Sequence, residues 1–322
     1  MNNQSINRMT TGTFLPNVSV VIPIYNCETD LPHLINCLLA QTYPNALVEY
    51  LLVDNNSSDR TFELLQQIAK NYPLLIRVLS QNKIQSSYAA RNTGIRAANG
   101  QIIAFTDADC RPQPEWLKLL VAPFVNNDIA IVAGEITALP GNSLLEQFAE
   151  NQQTLSQKHT LNHKFCPYGQ TANLAIRRQA LEKVGLFRPY LTTGGDADIC
   201  WRIQQENIGR LEFANKAIVQ HRHRSTLKEL KNQWRRYGHS NRYLHELYGV
   251  ELMRDMTLKE CSYRLARWLF KELPKESIKS LSGKTHLIDL LNTPIGILTA
   301  RARTIGQRET KLSQQAKIIE TL

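Results

Sequence analysis

Four short runs of β-branched and apolar residues, separated by segments of helical length, constrain this chain more than any other feature. VSVVIPIY, Val18 to Tyr25, is apolar on both alternating faces, as a strand covered from both sides requires. VEYLLVD ending at Asp54, LIRVLSQ, and QIIAFTDAD from Gln101 repeat the pattern. Between the first two runs Leu31, Leu34, Ile35, Leu38 and Leu39 recur at helical spacing. TFELLQQIAKNY then lines one face with Phe62, Leu65 and Ile68, behind a cap at Ser58 or Asp59. This alternation predicts an α/β fold, a Rossmann-like, doubly wound and mostly parallel sheet flanked by helices. Such sheets gather ligands at the carboxyl ends of their strands. Two runs end there in carboxylates: Asp54, and Asp107 with Asp109.

Beyond Asp109 the spacing predicts a helix opening at Pro114, a strand AIVAGEITAL and one amphipathic helix SLLEQFAENQQTLSQKHTL. A strand joined to a helix ending at Gly185 follows, and then a Gly-rich loop leading into DADICWRIQQENIG. With 322 residues, 43% of them hydrophobic, the chain can bury one large core with an appendage, which excludes disorder throughout. Six scattered cysteines at no zinc or dithiol spacing read as free thiols in a reducing cytoplasm. The polar amino terminus lacks the pattern of a signal peptide, and no window reaches the ~20 apolar residues of a membrane span. The expectation is a soluble or peripheral cytosolic protein.

The candidate chemistry lies in five places. In TDAD, Thr106 to Asp109, paired carboxylates at a strand mouth suit Mg²⁺ or Mn²⁺, with a salt bridge to Arg111 as the competing explanation. Asp54 opens VDNNSSD and could accept hydrogen bonds from a base or ribose, whereas Asn55 to Asp59 read as an Asx-turn and helix cap. Arg91, in YAARNTGI, is either a phosphate fork or a solvated helix arginine. In GGDADICWRI, Asp196 and Asp198 open a helix; one carboxylate suffices as a cap, and the other is free to accept a proton from a hydroxyl. HRHR, His221 to Arg224, offers an imidazole as a third metal ligand or a surface His-Arg cluster. No GxGxxG follows the first strand and no GxxxxGK[ST] occurs, so neither a Rossmann dehydrogenase nor a P-loop NTPase is supported.

Taken in order, VSVVIPIYN, LLVDNNSSDRT, AARNTGI, FTDADC, NLAIRRQALEKVGLF and GGDADICWRI resemble family 2 of the glycosyltransferases, inverting enzymes with a GT-A fold. The resemblance covers roughly residues 17–240. It implies that Pro23, Tyr25 and Asp54 frame the nucleotide base and that Asp107 and Asp109 hold a metal-bound diphosphate. It further implies that His221 is the third metal ligand, with His223 as its alternative. Asp196 would be the general base, with Asp198 as second choice. Many members carry Glu-Asp where this chain has Gly195-Asp196, so the acidic pair is halved here. The implied activity is transfer of a sugar from a nucleotide-sugar donor to a hydroxyl of a glycan or lipid-linked acceptor, in cell-surface polysaccharide assembly.

The organisation expected is a polar leader over 1–16, the transferase domain over 17–240 and a helical, basic extension over 241–322. Charge is divided accordingly. Residues 1–220 hold 18 basic and 18 acidic groups, and the rest 20 and 10, so the whole net charge of +10 lies in the last third. Basic residues interleaved with aromatics there suit an anionic membrane surface or nucleic acid, and the first is favoured. In TLKECSYRLARWLFKEL, Leu258, Cys261, Leu265, Trp268 and Leu269 share a face that would pack on the domain or lie on a membrane. LIDLLNTPIGILTA, trailed by Arg301, Arg303 and Arg308, suits a membrane surface. The rival activities are a nucleotidyltransferase, which would need a basic loop where IPIYNCETD is acidic, and a nucleic-acid-binding protein using the basic region.

Overall fold

β1 (Val18–Ile24) is hydrogen-bonded in parallel on both sides, to β2 (Val48–Asp54) and to β4 (Ile102–Thr106), and β2 pairs in parallel with β3 (Ile76–Ser80). The computed structural model describes residues 15–275 and 287–322, so the expected leader lies outside them except for Leu15 and Pro16. Strand periodicity divides β1 between two layers. Val18, Val20, Ile22 and Ile24 pack with α1 (Leu31–Leu39) and with Leu65 of α2 (Thr61–Asn71). Val21 faces the opposite side, with Ala90 and Ile95 of α3 (Ser87–Ala97). A run that is apolar at every position is what a strand with two covered faces needs.

The second half adds β5 (Cys110–Pro112), α4 (Trp116–Val121), β6 (Ile129–Ala138), α5 (Leu144–Asn151), α6 (Gln157–Leu161), β7 (Asn173–Arg177), α7 (Arg178–Val184), α8 (Gly195–Gln205) and β8 (Arg210–His221). The eight strands form one sheet in the order β3-β2-β1-β4-β7-β6-β8-β5. β7 is antiparallel to β4 and β6, and β5 is antiparallel to β8, while β6 and β8 are parallel. The rim where β1, β2, β4, β6 and β8 end is therefore also where β5 and β7 begin. Segments far apart in sequence meet there.

Two expected helices are corrected. The segment expected as one amphipathic helix is two, because Gln153 takes a left-handed φ of 49° that no α-helix accommodates, and Ser156 caps α6 afresh through Lys158 N. The helix expected from Pro114 opens at Trp116 and tightens into a 3₁₀ turn, Ala122–Val125, around Pro123.

The basic region begins with α9 (Leu227–Tyr248), whose Thr226–Glu229 capping box satisfies both the N-cap and N3 amides. It packs along α11 (Leu287–Glu309), and the cluster of Leu230, Ile288, Ile295 and Phe148 closes the contact. The apolar run expected to lie on a membrane is corrected here: much of it is spent on α9 and α5. Two glycines allow the close approach. A Cβ on Gly238 would stand 2.1 Å from the Arg303 carbonyl oxygen, and one on Gly306 would stand 2.0 Å from that of Arg235. Backbone cannot yield as a flexible side chain can, so Gly238→Ala should destabilise the fold by about 1–3 kcal/mol. Urea unfolding checks this; an unchanged midpoint would mean that the helices are not held at this separation.

Candidate active site

A cleft of about 1000 Å³ opens at the shared rim. Pro23 near the end of β1 and Tyr25 after it, Asp107 and Asp109 after β4, His221 at the end of β8, Arg91 of α3 and Asp196 of α8 all line it. Asp54 and Asp198 do not. Asp54 is buried, and its neighbour Asn55 lines the wall instead. One carboxylate oxygen of Asp54 accepts the Ser57 amide at 3.2 Å, while Oδ1 has no partner. Asn55 is fixed by donating to the carbonyls of Gln81 and Ile84 at 2.7 and 2.9 Å, which ties the loop after β2 to the approach to α3.

The paired carboxylates face different partners. Arg91 of α3 is buried and donates to Asp107 Oδ1 at 2.5 Å, so it meets an acid within this chain, which is neither the phosphate nor the solvent that the two sequence alternatives offered it. Arg111, the competing partner for the aspartates, pairs instead with Asp30 at 2.6 Å. Asp30 also accepts from Arg222. It thereby clasps β5, which follows Asp109, to the residue after His221.

Asp109 Oδ1 lies 3.3 Å from His221 Nε2. His221 Nδ1 sits 2.8 Å from the Arg222 carbonyl oxygen, which can only accept, so Nδ1 is the donor. In the neutral ring Nε2 then turns a lone pair towards a carboxylate. Two acceptors at that separation repel unless a proton or a cation joins them, and a hard oxygen with an imidazole nitrogen suits Mn²⁺ or Mg²⁺. Cys110 completes a group whose ligand atoms lie within 4.8 Å of one another. Its thiol is fully buried, and desolvation pushes it well above the ordinary range. His223 does not line the cleft; burial first, then His221, pushes its imidazole down to about 4, with Glu146 opposing.

α8 begins on the opposite wall. Gly194 supplies a left-handed φ of 82° at the N-cap, and the Gly195 amide donates to the Tyr88 hydroxyl at 2.9 Å. A Cβ at Gly195 would lie 2.7 Å from the Tyr88 ring, so the acidic side chain many members carry at this position has no room here. Asp196 follows, and its two oxygens accept from the Thr171 hydroxyl at 3.0 Å and the Thr171 amide at 3.3 Å. Desolvation raises its carboxyl pKa above the usual range; nearby Arg91 opposes this and Asp107 adds to it. Asp198 is in a different situation. It is fully buried and accepts from Arg188 at 2.8 Å, Arg202 at 3.1 Å and the Tyr248 hydroxyl at 2.6 Å, so it joins α8 to the end of α9.

The remaining wall was absent from the sequence reading. Glu229, Asn232, Gln233, Arg236, Tyr237 and Ser240 of α9 line the cleft. Their steps of three, one, three, one and three are one helical face. The signal was present in the Thr226–Glu229 box followed by this polar stripe. It was obscured because the same residues also read as a basic, aromatic surface.

Comparison with known proteins agrees with this architecture. Glycosyl transferase family 2 matches residues 19–185. Glycosyltransferase AglE of Haloferax volcanii is 35% identical over 224 residues, 69% of this chain and 72% of that protein. The chain spans about half the length of other curated relatives it matches. Among them is the UDP-Glc:alpha-D-GlcNAc-diphosphoundecaprenol beta-1,3-glucosyltransferase WfgD of Escherichia coli, 30% identical over 142 residues, 44% of this chain and 54% of that one. The mannosyltransferase PcManGT of Pyrobaculum calidifontis, solved with GDP-Man and Mn²⁺, superposes with a TM-score of 0.61 at 16% identity, covering 91% of this chain and 88% of that one. The fold is thus of the GT-A type, and with the family match spanning half of its length this chain belongs to glycosyltransferase family 2.

Proposed function

We propose that this chain is a metal-dependent, inverting glycosyltransferase that moves a sugar from a nucleotide-sugar to a hydroxyl of a lipid-linked glycan, in cell-surface polysaccharide assembly at the cytoplasmic face of a membrane. The observation that carries the reading is the placement of Asp196 in the same cleft as the Asp109–His221 pair, with Asp198 fully engaged elsewhere. The lipid-linked acceptor is supported by the substrate in WfgD's name.

In this reading Pro23, Tyr25 and Asn55 border the base, with Asp54 buried behind Asn55 and outside the cleft. Asp109 and His221 would hold the cation together with Asp107, once Asp107 shares its carboxylate between metal and Arg91. Bound there, a divalent ion neutralises charge on the departing nucleoside diphosphate. Thr171 fixes Asp196, and the raised carboxyl pKa makes it a stronger base for the acceptor hydroxyl than an ordinary aspartate. Direct displacement by that hydroxyl inverts the anomeric centre. The face of α9 carrying Arg236 and Ser240, together with His159 and Gln170, gives the acceptor a polar lining.

Thermal unfolding of the protein with a panel of nucleotide-sugars, with and without Mn²⁺, tests this. A cognate donor at about 100 times its Kd should stabilise by about 2.7 kcal/mol, and only when metal is present. Stabilisation by no donor, or equal stabilisation in chelator, would sink the reading.

A further inference from the structure

α10 (Leu258–Arg267) runs into a π-type turn, Trp268–Glu272, and none of its residues is buried. Among the described residues its main contacts are with α11. Trp268 Nε1 donates to the Leu290 carbonyl at 2.7 Å, and Glu272 accepts from Thr293 at 2.7 Å. The rest of the helix turns large apolar groups outward. Leu258 is 69% exposed, Tyr263 66% and Phe270 80%, with Leu265 and Leu269 near half. Leu258, Leu265 and Leu269 stand at i, i+7 and i+11 and share a side. Of the two alternatives for this face, packing on the catalytic domain or lying on a membrane, the first is not what the helix does with its leucines: α11 covers α9, and α10 lies on α11 with its leucines outside.

We propose that α10 and the turn after it form a docking surface for an anionic lipid bilayer. Lys259, Arg264, Arg267 and Lys271 share the segment with only two acids. Glu260 is engaged in the Thr257 capping box and with Arg254, and Glu272 pairs with Arg267 at 3.0 Å, so each acid is balanced by an arginine and Lys259, Arg264 and Lys271 carry the positive excess. Apolar and aromatic groups beside basic ones are what a helix lying in the headgroup region presents. A second copy of the chain is the weaker occupant. A segment of fifteen residues is roughly 22 Å long, and one such helix cannot supply the ~800 Å² per partner of a stable interface. Among the described residues no helix is long and apolar enough to cross a membrane, so attachment through them is from the surface. The inference deepens the lipid-linked acceptor of the reading above by naming where the chain meets the lipid, but its argument rests on α10 alone.

Co-sedimentation of the full chain with vesicles of phosphatidylcholine, with and without phosphatidylglycerol, tests it. Binding should require phosphatidylglycerol and weaken as salt screens the lysines and arginines. Leu265→Glu with Phe270→Glu, and separately Lys259→Gln with Arg264→Gln and Lys271→Gln, should each lower the bound fraction at least about tenfold. Both sets change exposed side chains, so the thermal midpoint and its rise with nucleotide-sugar and Mn²⁺ should stay as in the wild type. Absence of wild-type binding, or binding that survives both sets, would overturn the proposal while donor stabilisation continued to support the transferase reading. Self-association in light scattering that Leu265→Glu with Phe270→Glu abolishes would also overturn it, in favour of a contact between copies. Failure of donor stabilisation with vesicle binding intact would remove the transferase reading and leave the surface.

Discussion

Asp196→Asn is expected to lower sugar transfer by at least about 100-fold while leaving the nucleotide-sugar bound. Asparagine retains an oxygen for the Thr171 hydroxyl and gives up, with the proton acceptor, the longer bond from the Thr171 amide. The raised carboxyl pKa adds two signed expectations. As a base, Asp196 must be ionised, so the acidic limb of the wild-type rate should fall at a pH above the ordinary aspartate range. On stability the sign reverses. An acid whose pKa is higher folded than unfolded contributes stability below its unfolded value, and that contribution is lost as pH rises through the folded one. At neutral pH the ionised group therefore costs the fold, and Asp196→Asn should raise the melting temperature as it removes activity. A variant that transfers normally would show that the base is elsewhere, and a lower melting temperature would show that the carboxylate is not under-solvated.

Asp109→Ala should abolish the metal dependence of nucleotide binding. Calorimetric titration with Mn²⁺ is the direct readout, with affinity falling at least about 100-fold, since even partners outside the coordination shell cost 10–100-fold. His221→Ala should do the same, because Asp109 Oδ1 and His221 Nε2 stand 3.3 Å apart at the cleft. His223→Ala should leave Mn²⁺ affinity in place, as that ring lies outside the cleft. Equal Mn²⁺ affinity in wild type and Asp109→Ala would remove the metal from this pair.

The legible part of the fold was the part governed by local periodicity. β1, β2, β3 and β4 begin and end within a residue or two of their apolar runs, because strands buried on both faces can be built from little else. The reversed directions of β5 and β7 were not legible, since an apolar run reads the same whichever way it enters a sheet. The fate of the basic region was equally hidden. Arg222 meets Asp30 and Arg224 approaches Asp109, so part of the excess charge answers acids of the first two thirds, while Glu309 and Asp255 answer Arg235 and Arg308 within the last third. Net charge counts groups, and partners at long range are set by folding.

By itself the sequence determined the parallel core, the rim on which its carboxylates gather and the family to which the motifs point, because those follow from residue type and spacing along a single element. The tertiary structure decided what each polar group faces. It set Arg91 against Asp107, Arg111 against Asp30 and His221 against Asp109. It also buried Asp198 among two arginines and a tyrosine while leaving Asp196 in the cleft, although the two acids stand two residues apart on the same helix. Two residues along a helix turn a side chain through about 200°, so neighbours in sequence look out on opposite surroundings, and only the packing around the helix says which of them meets a substrate.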